Sequence, residues 1–79
     1  MGRYRKKPVE IDAVLYDGSK ESIADCARLG NFGLFSDHLS IKTLGGTMRC
    51  EVGDWLIRGV KGELYPCKPD IFEATYEVA

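Results

Sequence analysis

Histidine occurs once in these 79 residues, tryptophan once and proline three times, and the three cysteines stand far apart at 26, 50 and 67. A lone histidine with scattered cysteines argues against zinc, whose ligands come in closely spaced pairs. Three cysteines without close partners, behind an opening basic run RYRKK, argue against a secreted disulfide framework and for a reducing cytoplasm. No apolar run approaches the roughly 20 residues that a bilayer span needs. The phosphate loop is missing as well, because GVKGE lacks its length and its Gly-Lys-Ser/Thr ending. A formal charge of −1 and a pI near 5.7 argue against broad binding to duplex nucleic acid, which wants a strongly basic face.

What is present suits one compact domain over residues 1–79. Hydrophobic residues make up 44% of the chain, but a core this small leaves little net stability once conformational entropy is subtracted. A homo-oligomer is therefore expected. Charge is uneven along the chain: Arg3, Arg5, Lys6 and Lys7 open it, and Asp70, Glu73 and Glu77 close it.

Residues 9–16 alternate, with Val9, Ile11, Ala13 and Leu15 on one side, which predicts a strand with one buried face. Ser19 is a good N-cap for a helix ending at Gly30, with Ile23, Ala24, Ala27 and Cys26 toward the sheet. Residues 31–38 read as an irregular hydrophobic loop over the core. Residues 39–44 and 47–52 alternate around Gly45-Gly46, a pair free to take the positive φ of a tight hairpin. Met48, Cys50 and Val52 face one way on the second of these strands. A further hairpin follows, out along 55–59, round Val60-Lys61 and back along 62–65, with Pro66 at its end or on an edge. Pro69 and the capping-box pattern Asp70 to Glu73 predict a C-terminal helical turn with Phe72 and Tyr76 packed inward. The fold class is α+β: a small, mainly antiparallel sheet of about five strands, one packed helix and a short C-terminal helical turn.

Two stretches carry a likeness. KKPVEIDAVLYDG at 6–18 and TLGGTMRCEVGDWLIRGVKGELYPCKPDIFEATYE at 43–77 resemble a family of small proteins encoded by bacteriophages and prophages, whose members read KPV-x-I-E-A near the start and GDW-I-I-x-GV-x-GE-x-YPCKPDIF-x-x-TYE near the end. The resemblance covers nearly the whole chain and is most specific in its second half. It implies a phage gene acting in the host cytoplasm and leaves the activity open. Where relatives often have TLEG this chain has Thr43-Leu44-Gly45-Gly46, so Gly45 cannot do what that glutamate does.

Several residues invite a functional reading. Asp54 and Glu63 could form a carboxylate pair for acid/base work, but an Asp after Gly commonly bonds its own turn, and Glu63 could pair with Arg58 across the strands. Trp55 and Tyr65 could flank a flat ligand, although a lone Trp in so small a domain is expected to anchor the core. Arg3, Arg5, Lys6 and Lys7 could grip phosphate, with Arg58, Lys61 and Lys68 forming a second cluster; the plainer reading is a solvated edge. Cys26 and Cys50 read as core, His38 as buried filler, and Cys67 as the one candidate reactive thiol, without a histidine partner.

These readings predict a protein that is not an enzyme and has no cofactor or metal. The leading expectation is a binding module that captures a small anionic host molecule, a nucleotide-derived immune signal, in a pocket shared between subunits and rimmed by Arg3, Arg5, Lys7, Trp55, Arg58, Lys61, Glu63, Tyr65 and Lys68. The alternative is a protein-interaction module that inhibits a host protein or serves as a minor phage assembly component.

Overall fold

A computed structural model describes residues 11–76. Eight elements follow one another: β1 (Asp12–Leu15), α1 (Lys20–Leu29), β2 (Gly33–Leu34), β3 (His38–Thr43), β4 (Gly46–Glu51), β5 (Trp55–Arg58), β6 (Leu64–Cys67) and α2 (Pro69–Thr75). The α+β class and the antiparallel pairing are as the sequence predicts. The strands divide into two sheets rather than one, ordered β1-β5-β6 and β2-β3-β4. The first half of the expected strand over 9–16 lies partly outside the described residues.

Sidedness follows from register. In an antiparallel pair opposite residues share a face, so Val14, Leu56 and Pro66 look one way and Ala13, Ile57 and Tyr65 the other. Leu56 and Tyr16 enter the core with Cys26 of α1 and Leu39, Ile41 and Cys50 of the second sheet, while Val14, Ile23, Phe32 and Leu64 pack around them. The side of β1 that reaches this core is therefore that of Val14 and Tyr16; Leu15, in the opposite phase, is 42% exposed. The reverse face of the first sheet carries Ile57, fully buried yet outside that cluster. It is the face of Trp55 and Tyr65, which α2 meets.

α1 begins as read. Ser19 has extended backbone angles and its hydroxyl accepts the Ser22 N–H at 3.1 Å. Its inner face differs from the apolar pattern, because Ser22 and Cys26 are buried while Ala24 and Ala27 are exposed. Ser22 is tolerated inside because its hydroxyl donates to the Ser19 carbonyl at 2.9 Å.

Three further expectations shift. Of residues 31–38 only Phe32 packs on the core; Leu34 sits in the short edge strand and, like Phe35, is more than half exposed. In the β3–β4 hairpin only Gly46 takes positive φ, +117°. α2 starts two residues earlier than the capping-box pattern implies: Lys68, not Asp70, is the N-cap and makes no side-chain capping bond, and Pro69 opens the helix.

Candidate functional site

The stretch GDWLIRGVKGELYP, residues 53–66, forms the β5–β6 hairpin and its entry turn. Asp54 is 4% exposed, and one carboxylate oxygen accepts both the Glu51 N–H at 2.9 Å and the Lys68 ammonium at 3.1 Å. Its own N–H donates to the Glu51 carbonyl at 2.9 Å, and its carbonyl accepts the Tyr16 N–H at 2.9 Å. Asp54 thus ties the end of β4 to the residues that follow β1 and β6. This is the turn role that an Asp after Gly suggests.

Glu63 stands at the far end of the same hairpin. Its carboxylate accepts the Lys61 N–H at 3.0 Å, and a methyl group placed on Gly59 would strike it. Gly62, at φ +83°, completes this turn through the left-handed conformation. With β5 between them, Asp54 and Glu63 are not brought together as a carboxylate pair. Nor does Glu63 pair with Arg58, whose guanidinium is bound to Asp12 on the neighbouring strand β1.

The two described cation sites are likewise divided. Arg58 and Lys61 lie at the turn end of the first sheet, and Lys68 lies at the other end beside Asp54, 4.0 Å from Glu51. Asp54 holds the Lys68 ammonium above the usual lysine range by hydrogen bond and charge. Lys61 alone among them is exposed with no ion-pair partner among the described residues. Arg3, Arg5 and Lys7 lie outside the described residues.

Trp55 is not the core anchor expected. It is half-buried and stacks on Phe72 of α2, ring centres 4.1 Å apart and planes 6° off parallel, and Phe72 in turn leans on Tyr76. The Tyr65 and Tyr76 hydroxyls meet at 3.1 Å. Burial, followed by that hydrogen bond, pushes the Tyr65 phenol up to about 12. Both aromatics proposed to flank a flat ligand are therefore occupied by α2. Comparison of the chain with protein-family models, with curated proteins and with solved structures finds no match.

Open hollows lie elsewhere on the surface of the described residues. One of about 560 Å³ lies at the turn end of the first sheet, with the Asp12–Arg58 pair, Gly59 and Gly62 on its wall. Another, about 590 Å³, runs between the β3–β4 hairpin tip and β6, and takes in Leu44, Thr47, Glu63 and Tyr65. Neither collects the cation pair or aromatic sandwich that would hold a nucleotide tightly.

A cluster that sequence reasoning missed crosses the outer side of the second sheet. His38 Nδ1 bonds Asp37 at 2.6 Å, Arg49 reaches Asp37 at 3.4 Å and Glu51 at 3.6 Å, and Glu51 leads on to Lys68. His38 is no apolar filler: Phe35 stacks on it at 4.8 Å, nearly parallel. The adjacent Asp-His pair and the alternation of Arg49 with Glu51 on β4 were the available signals. Asp37 is held below the usual carboxylate range, first by its hydrogen bond to His38.

The thiols read quietly. Burial raises Cys26 to about 11 and Cys50 to about 12, and also lifts Cys67, so each stays protonated near neutrality. Among the described residues no three acidic, cysteine or histidine side chains gather to hold a metal, and no helix is long and apolar enough to cross a membrane.

Proposed function

We propose that this chain is a small phage-encoded binding protein without chemistry of its own, which acts by covering the surface of a host protein. The phage context rests on the resemblance of residues 6–18 and 43–77 described above. The contact mode rests on one observation: the apolar side chains the molecule spends outward are large and many. Leu34, Phe35, Leu44, Val52, Val60 and Ile71 are all more than half exposed, and among them the adjacent Leu34 and Phe35 offer the apolar pair that a partner surface would cover. The alternative of serving as a minor assembly component belongs to the same contact class.

Capture of a small anionic, nucleotide-derived signal between subunits is the second reading. Arg58 at the wall of the turn-end hollow and exposed Lys61 beside it favour that reading. Against it stands the cost of parting Arg58 from Asp12.

Pull-down from host lysate separates the two. A protein retained in stoichiometric amount by the natural chain, and lost when Leu34 and Phe35 are both changed to Asp, supports the first. Heat on titration with cyclic dinucleotides or ADP-ribose derivatives, abolished by Arg58→Ala and Lys61→Ala together, overturns it in favour of the second.

A further inference from the structure

β4 is the outer strand of the second sheet, and among the described residues nothing pairs with its free side. The other outer strands are blunted or short: β2 has two residues, β1 four, and β6 carries Pro66. β4 has six residues and neither proline nor lysine, the usual devices against edge pairing.

Glu51 fixes which groups of β4 look outward. Its N–H and carbonyl are both taken by Asp54, side chain and main chain respectively, so they do not bond β3. Backbone directions alternate along a strand; Arg49 and Thr47 therefore present their N–H and C=O outward, while Met48 and Cys50 serve β3. Asp54 closes the edge at Glu51, and among the described residues no other hydrogen bond takes the outward backbone groups of 47–49.

We infer that two copies of the chain pair antiparallel along this open stretch, with Met48 on the two-fold axis. Thr47 of one copy then faces Arg49 of the other and exchanges a mutual pair of hydrogen bonds on each side of the axis. Neighbouring registers fail. Sliding one way sets Arg49 against Arg49 or calls on the Glu51 N–H that Asp54 holds. Sliding the other way runs the pairing into Gly46, whose φ of +117° ends the extended run.

The same register also matches the exposed apolar residues. Met48 is 46% exposed, and Leu44 and Val52 stand four residues to either side of it, the first fully exposed and the second 57%. Antiparallel pairing about Met48 brings Met48 against Met48 and Leu44 of each copy to the Val52 end of the other. Arg49, already held by Asp37 and Glu51, brings no free charge to the axis. The product is one continuous six-stranded sheet, and the inference stands whether or not the host partner is a protein.

Sedimentation of the 79-residue chain tests it together with Met48→Lys, which sets two ammonium groups face to face at an otherwise solvent-exposed position. A dimer is expected for the natural chain. Met48→Lys should weaken it by at least about tenfold, with an unchanged circular dichroism spectrum. Met48→Cys in a Cys67→Ser background should cross-link under mild oxidation. A non-hydrogen-bonded cross-strand pair sits about 4.5 Å apart at Cα, within disulfide range. A monomeric natural chain, a dimer indifferent to Met48→Lys, or no cross-link at position 48 would each overturn the inference.

Discussion

Asp54 accepts an amide and an ammonium on one buried oxygen, and the two bonds differ in consequence. Lys68 is more than half exposed, so losing it leaves the carboxylate its amide partner and some water. Removing the carboxylate leaves the Glu51 N–H without its acceptor. Asp54→Ala should therefore lower unfolding free energy by about 1–3 kcal/mol in urea titration, whereas Lys68→Ala should lower it by clearly less, because its ammonium is solvent-screened. Equal losses would show that the ion pair, not the amide bond, carries the turn. Asp54's turn role was readable from Gly-Asp alone. Arg58's partner was not, because Asp12 lies 46 residues away and only the β1–β5 register sets them side by side.

α2 has no buried residue and no side-chain cap, and the described bonds that fix it to the sheet are the Trp55–Phe72 stack and the Tyr65–Tyr76 hydroxyl pair. Phe72→Ala should shift Trp55 emission to longer wavelength and speed amide exchange across 72–76. The loss of stability should be about 1–3 kcal/mol. Unchanged emission would mean that Trp55 is held by something other than Phe72. At this scale much was legible: Ser19 announced α1, alternation announced β3 and β4, the glycines around Val60-Lys61 announced the β5–β6 hairpin, and Phe72 with Tyr76 announced an inward helical face. Periodicity counts apolar side chains but cannot see that a Ser hydroxyl satisfied by its own helix is cheap to bury, which is how Ser22 displaced Ala24 and Ala27. Trp55 was sent to the core on residue type alone, which does not show which of two half-apolar strand faces a helix will cover; it lies on the face that α2 meets.

Across the whole molecule, one cluster of side chains from α1 and both sheets holds the described residues together, with two cysteines fully buried in it. Folding keeps Cys26 and Cys50 protonated up to about 11 and about 12, against an ordinary thiol value of 9.0. The raised folded values give a definite sign. The stabilisation is whole below pH 9 and drains away as the unfolded chain ionises first, between pH 9 and about 12. The urea midpoint should fall over that range, and fall less steeply for Cys50→Ala; a flat midpoint from pH 8 to 11 would contradict this. The candidate site was only partly legible for the same reason as the sheet division: which charges neutralise one another depends on strand register. Lys68 is near Arg58 and Lys61 in sequence yet is parted from them by the length of β6.

Native mass spectrometry of the purified chain bears most directly on the central claim, that this molecule works through its surfaces, paired copy to copy, and not by enclosing a ligand. The account predicts a particle of twice 8.8 kDa with no added mass. A single 8.8 kDa chain retaining a nucleotide-sized compound would contradict it.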